Sequence, residues 1–124
     1  MSNRVLVVDD SVSMRQMTSL ILKGAGFTPV EAGDGQEALE KLTEDTVLVI
    51  TDFNMPRMNG VELIRAIRSG SVAKTIPILM ITTESEDDKK QQGREAGATA
   101  WIVKPFTKDQ LLATLKRLVS TLTF

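Results

Sequence analysis

Cysteine, histidine and tyrosine are all absent from the 124 residues. Without cysteine there can be no disulfide, thiolate metal site or thiol nucleophile. Without histidine there can be no imidazole zinc site, no histidine-based triad and no phosphohistidine on this chain, so any phosphate chemistry must use a carboxylate or a hydroxyl. Long apolar runs are missing too: none approaches the roughly 18 residues that a membrane span needs. The start, Met1-Ser2-Asn3-Arg4, does not lead into a secretory signal, because Val5 to Val8 is cut short by two aspartates, and the chain is expected in the cytoplasm. Neither sign of charge dominates. Fifteen basic residues stand against sixteen acidic ones, without the positive excess that phosphate-backbone binding requires, so direct nucleic-acid binding is not expected.

What is present reads as one ordinary globular domain over residues 1–124, with 42% hydrophobic and 25% charged residues and room for a single core. Apolar runs alternate with segments of helical period, the signature of βαβ units and a parallel sheet covered on both faces, so the class is doubly wound α/β. Strands are expected near Arg4 to Val8, Thr28 to Glu31, Val47 to Thr51, Ile78 to Thr82 and Ala100 to Val103. Met14, Met17 and Ile21 should share one helical face, as should Ala38, Leu39 and Leu42, then Leu63, Ile64 and Ile67. The last helix carries Leu111, Leu112, Leu115, Leu118, Val119 and Leu122. A fourth helix, about Ser85 to Ala96, has almost no apolar stripe and a glycine in its middle, costing about 1 kcal/mol relative to alanine, and is expected to be weakly held. A solvated helix with an acidic first turn would look the same.

Three apolar runs end in functional groups: Val5 to Val8 in Asp9 and Asp10, Val47 to Ile50 in Thr51 and Asp52, and Trp101 to Val103 in Lys104. Ligands of open α/β sheets sit beyond the carboxyl ends of the strands. If these runs are neighbouring parallel strands, three carboxylates and an ammonium meet there, and crowded carboxylates need a cation to be tolerated. The expected metal is Mg²⁺, held directly by Asp10 and Asp52, by Asp9 through water, and by the main-chain carbonyl of Asn54. Adjacent aspartates before Ser11 could instead simply cap a helix. Asp52 is the expected nucleophile toward phosphorus, forming an acyl phosphate. Lys104 would meet the charge on the transferring group, and Pro105 restricts Lys104 to extended geometry. Thr82 offers a hydroxyl at a fourth strand end, although threonine is also a routine strand residue.

Val5-Leu6-Val7-Val8-Asp9-Asp10, Thr51-Asp52-Phe53-Asn54-Met55-Pro56-Arg57-Met58-Asn59-Gly60, Ile81-Thr82-Thr83 and the segment Ala96 to Phe106 closely resemble the receiver domain of two-component response regulators, and within it the stand-alone chemotaxis members. The likeness covers essentially the whole chain. It implies a flavodoxin-like (βα)5 three-layer sandwich with strand order 2-1-3-4-5, phosphorylated on Asp52 by a sensor histidine kinase. Asp9 and Asp10 would be the metal acids; Asn54, Thr82, Thr83 and Lys104 would surround the phosphoryl group; Lys104-Pro105 would be a cis peptide. Asn54 and Glu84 would tune how fast the acyl phosphate hydrolyses. The implied partners are a chemotaxis-type kinase, a flagellar motor switch protein and a phosphatase, met by a monomer that assists its own phosphorylation and autodephosphorylation rather than turning over a substrate. The output face would comprise the fourth helix, the last strand and the last helix, with Leu122 and Phe124 near it. With the sequence ending at Phe124, no DNA-binding or enzymatic output domain is expected, and signalling is expected to be by contact.

One position departs from that pattern. Where relatives carry tyrosine or phenylalanine, this chain has Trp101, its only tryptophan. The resemblance implies an inward aromatic rotation coupled to Thr82, but an indole is larger, and a half-exposed aromatic packed on the last strand is the alternative. Other readings of the whole chain are a receiver serving a non-chemotaxis pathway or phosphorelay, an adaptor with a vestigial site, an Mg²⁺-dependent phosphatase with an aspartyl-phosphate intermediate, and a flavin carrier. The phosphatase would need a second acid where Asn54 stands. The flavin carrier would need a hydroxyl- and glycine-rich loop where Asp9-Asp10-Ser11-Val12 offers repelling charge.

Overall fold

In the computed structural model, residues 3–55, 57–82 and 87–119 are described, those of 87–90 by backbone only. They form β1 (Arg4–Val8), α1 (Val12–Gly24), β2 (Thr28–Ala32), α2 (Gly35–Lys41), β3 (Thr46–Asp52), α3 (Gly60–Ser69), β4 (Ile78–Thr82), α4 (Asp87–Ala96), β5 (Ala100–Val103) and α5 (Lys108–Leu118). The strands pair in parallel in the order β2-β1-β3-β4-β5, the doubly wound arrangement expected.

Alternation along the strands divides the core in two, because successive side chains point to opposite faces. Leu6, Val8, Val49, Ile78 and Met80 pack with Leu63, Ile64 and Ile67 of α3. Val5, Val7, Leu48, Ile50, Leu79 and Ile81 pack with Leu22 of α1 and with Leu111 and Leu115 of α5. β1, β3 and β4 are therefore apolar on both faces, as central strands of a covered parallel sheet must be. The helices begin on side-chain caps. Ser11, Asp34, Asn59 and Thr107 accept backbone N–H bonds from Met14, Glu37, Glu62 and Gln110, and the last two complete capping boxes with Glu62 and Gln110.

Several expectations shift. Met17 is exposed rather than inward-facing. The buried stripe of α1 runs through Thr18, Ser19 and Leu22, with Met14 and Ile21 at its edge, because the helix turns a different row of its surface to the sheet. α2 stops at Lys41, leaving Leu42 buried as its C-cap residue, and α5 stops at Leu118 with Val119 as C-cap. Leu122 and Phe124 lie outside the described residues, as do Ser85 and Glu86 of the expected fourth helix. The glycine in α4 has a packing reason that composition does not reveal. A Cβ at Gly93 would press on the thioether end of buried Met80, so the missing side chain lets α4 lie close against β4.

Candidate functional site

The carboxyl ends of β1, β3, β4 and β5 lie at one sheet edge. β4 separates β3 from β5, as the implied strand order requires, and the long Lys104 side chain crosses that gap. Its ammonium nitrogen lies 3.3 Å from Asp9 Oδ2 and 3.3 Å from Asp52 Oδ2. All three groups are withdrawn from solvent, with side-chain exposures of 13% for Lys104, 7% for Asp9 and 10% for Asp52. A shared cation between two buried carboxylates offsets part of their repulsion and desolvation.

Backbone bonds beyond the strand ends hold these residues in place. Asp9 N–H donates to Ala32 O at 3.1 Å, Phe53 N–H to Ile81 O at 2.8 Å, and Lys104 N–H to Thr82 O at 2.8 Å. The Lys104-Pro105 peptide is cis, as the resemblance implied. Asp9 also receives the Ser11 N–H on Oδ1 at 2.9 Å, so this acid both faces the pocket and orders the entry to α1. Ser11, rather than either aspartate, is the N-cap.

Asp10 is exposed, and with Asn54, Met55 and Asn59 it lines an open depression of about 470 Å³. Carboxylate oxygens of Asp9, Asp10 and Asp52 all lie within 4.8 Å of one another, close enough to hold one metal ion. A donor set made only of carboxylate oxygens fits a hard divalent cation such as Mg²⁺, and the exposed side of the cluster leaves space for the waters Mg²⁺ retains. Burial pushes the Asp52 carboxyl above its ordinary value; Lys104 pulls it back and the Asp9 charge adds to the rise. A carboxylate disfavoured in its charged form gains by having that charge neutralised by a nearby cation.

The structure therefore brings Asp9, Asp10, Asp52 and Lys104 together, with Asn54 exposed on the rim. Thr82 is fully buried at the end of β4, in register with Val103. Thr83 and Glu84 lie outside the described residues. Trp101 is half-buried against the core, and the Arg94 guanidinium of α4 sits 5.0 Å from its ring centroid. This cation–π contact ties β5 to α4, and nothing in the sequence pattern announced it. Two further residues escaped the sequence reading. Asn59 on the rim was hidden by its capping role, and Arg15 of α1 was hidden by its distance from any motif, although its guanidinium donates to Asp9 O at 2.6 Å.

Residues 5–116 match the family model of the response regulator receiver domain. The chain is similar to the chemotaxis protein CheY1 of Helicobacter pylori, 45% identical over 121 residues that cover 95% of this chain and 98% of the relative. It is similar also to the chemotaxis protein CheY of Pseudomonas aeruginosa, 37% identical over 117 residues covering 93% and 94% of the two chains. Among solved structures, chemotaxis protein CheY4 of Vibrio cholerae superposes with a TM-score of 0.90 at 48% identity, covering 95% of this chain and 99% of that one.

Proposed function

The chain belongs to the response regulator receiver domain family, and from that premise we propose that residues 1–124 form a single phosphorylation-activated signalling switch whose phosphoryl acceptor is Asp52. Receiver domains of this type are signalling proteins rather than turnover enzymes. The observation that carries the reading is Lys104 Nζ lying 3.3 Å from both Asp9 and Asp52 inside an acidic cluster.

In the proposed reaction a carboxylate oxygen of Asp52 attacks phosphorus, an O–P bond forms, and the P–N bond of a partner's phosphohistidine breaks with its electron pair leaving on the imidazole. The product is an acyl phosphate on Asp52. Bound Mg²⁺ would supply charge neutralisation for the transferring oxygens. Asp10 and Asp52, Asp9 through water and the Asn54 carbonyl would hold it. Lys104, whose Nζ lies 3.3 Å from Asp52 Oδ2, would meet the phosphoryl group as its charge develops. Asn54 and Thr83 would line the phosphoryl site, and Asn54 and Glu84 would set its lifetime. Thr82, buried at the adjacent strand end, would register the new charge and pass it toward Trp101.

Phosphorylation adds roughly −1.5 to −2 charge, and its effect must come from biasing two arrangements of a mobile element. The face made by α4, β5 and α5 is the proposed output surface. The proposed partners are a chemotaxis-type sensor histidine kinase, a flagellar motor switch protein and a phosphatase, met in the cytoplasm by a monomer; the support is the full-length likeness to chemotaxis proteins. Among the described residues no helix is long and apolar enough to cross a membrane.

Incubation with acetyl phosphate and Mg²⁺, followed by intact-mass spectrometry, tests the reaction. Wild type should gain one phosphoryl mass and Asp52→Asn should gain none. No gain on wild type, or a gain that survives the substitution, would refute it.

A further inference from the structure

We infer that Arg15 is a positioning residue for the metal-binding acids, fixing from α1 the peptide that joins Asp9 to Asp10; the inference rests on the Mg²⁺-dependent reading of the site. Arg15 Nη1 donates to Asp9 O at 2.6 Å, and Nε donates to Glu31 Oε1 at 3.0 Å. The guanidinium is planar and rigid, so two bonds from one group fix its direction as well as its distance. The Arg15 side chain is largely buried, with 17% of its surface exposed.

Peptide planarity carries the effect onward. The Asp9 oxygen lies in the same plane as the nitrogen and Cα of Asp10, so a bond that holds this oxygen sets the direction in which the chain leaves for Asp10. Asp10 is exposed, and packing does little to place it. Asp9 is held at each of its polar groups: N–H by Ala32 O, Oδ1 by Ser11 N–H, Oδ2 by Lys104, and the carbonyl by Arg15. The support behind Arg15 is itself anchored, since Lys41 Nζ of α2 donates to Glu31 O at 2.7 Å and also pairs with Glu37.

A purely helical role for Arg15 is disfavoured. Its N–H makes an early bond of α1, to Ser11 O at 2.9 Å, and a cation there opposes the positive end of the helix dipole. Its ion pair is with a Glu31 side chain that is 38% exposed and partly screened, and it ties α1 to β2 rather than to the acids. The short bond to the Asp9 carbonyl is the contact by which the residue reaches the metal-binding acids.

Calorimetric titration of the unphosphorylated protein with Mg²⁺ alone tests this, with melting curves in EDTA alongside. Simple electrostatics and positioning predict opposite signs for Arg15→Ala: deleting a nearby positive charge should tighten Mg²⁺ binding, whereas releasing the Asp9–Asp10 peptide should weaken it. The expected result is a loss of about tenfold, the lower end of what ligand-orienting partners contribute. Acetyl phosphate labelling of that variant should return toward the wild-type rate at saturating Mg²⁺. Arg15→Lys keeps the charge and stem but cannot span both acceptors, and it should also bind Mg²⁺ more weakly; it decides the matter if the alanine variant does not fold. Wild-type affinity or tighter in the folded variants overturns the inference, whatever their melting temperatures. A wild type that binds no Mg²⁺ overturns the functional reading first and this inference with it.

Discussion

Gly60, the first residue of α3, sits against the strand that carries the proposed phosphoryl acceptor. A Cβ built there would fall on the carbonyl oxygen of Asp52, 3.0 Å from Phe53 Cα and 3.2 Å from the Asp52 carbonyl carbon. These are backbone atoms, so Gly60→Ala cannot be absorbed by turning a side chain. The helix start must move away from β3, and that movement strains the bond from Gly60 N–H to Phe53 O, now 2.9 Å. Overpacking costs about 1–3 kcal/mol, and an unsatisfied buried backbone group costs about 1–3 kcal/mol. The sum, roughly 2–6 kcal/mol, is a large part of the 5–15 kcal/mol available to a domain of this kind. Urea denaturation should show the midpoint falling by about 1–3 M for a slope near 2 kcal/mol per M. Gly24→Ala is the internal control: a Cβ there meets nothing within 4 Å at the end of α1, and alanine should raise stability by about 0.5–1 kcal/mol. The two substitutions should therefore have opposite signs, and acetyl phosphate labelling of Asp52 should suffer only in the first. A Gly60→Ala protein as stable and as readily labelled as wild type would refute the reasoning.

Asp52→Asn should stabilise the metal-free protein at neutral pH. The Asp52 carboxyl is raised above its ordinary value of 3.8 chiefly by burial, so the folded state holds this proton more tightly than the unfolded chain, and its stability falls as pH rises from the ordinary value through the raised one. Asparagine removes that loss, and the gap between variant and wild type in EDTA should shrink as pH falls toward 4; a variant less stable than wild type at pH 7 contradicts the assignment. Arg68 Nε and Nη2 donate to Gly97 O at 3.0 and 2.8 Å, and Nη1 donates to Lys74 O at 2.8 Å and Ile76 O at 2.6 Å. Arg68→Ala leaves three carbonyls short of a donor and should cost about 2–4 kcal/mol by urea denaturation, with Arg68→Lys restoring at most half. Ser19 Oγ is buried on α1 without a hydrogen-bond partner among the described residues; Ser19→Ala should be neutral or stabilising by up to about 1 kcal/mol in thermal melts, and a clear loss of stability would show that the hydroxyl has a role.

Much of the molecule was legible in the sequence because the signals were local. Apolar runs of strand length bounded by aspartate, threonine and lysine gave the five strands to within about one residue at each end. The same boundaries put Asp9, Asp10, Asp52 and Lys104 at strand ends, where parallel topology allows ligands to bind. Residue chemistry narrowed the proposed reaction, since carboxylates without histidine or cysteine leave few ways to handle phosphate. Helical facing was less secure. Leu42 is buried with Ala38 as periodicity indicated, but Met17 is exposed; the row of a helix that meets the sheet depends on where its cap starts and how it crosses, which periodicity does not encode.

Tertiary structure alone decided the contacts made between distant segments. The reach of Lys104 across β4 to two carboxylates depends on strand order. The packing of Gly93 on Met80 and of Gly60 on the Asp52 backbone depends on how closely two elements approach. The Arg15 bond to Asp9 O joins a helix side chain to a carbonyl, and every residue has a carbonyl, so no sequence pattern marks it. Residue types and their order determine which elements form and which chemistry is available; distances between elements, which exist only once the chain has folded, determine which of those groups can act together.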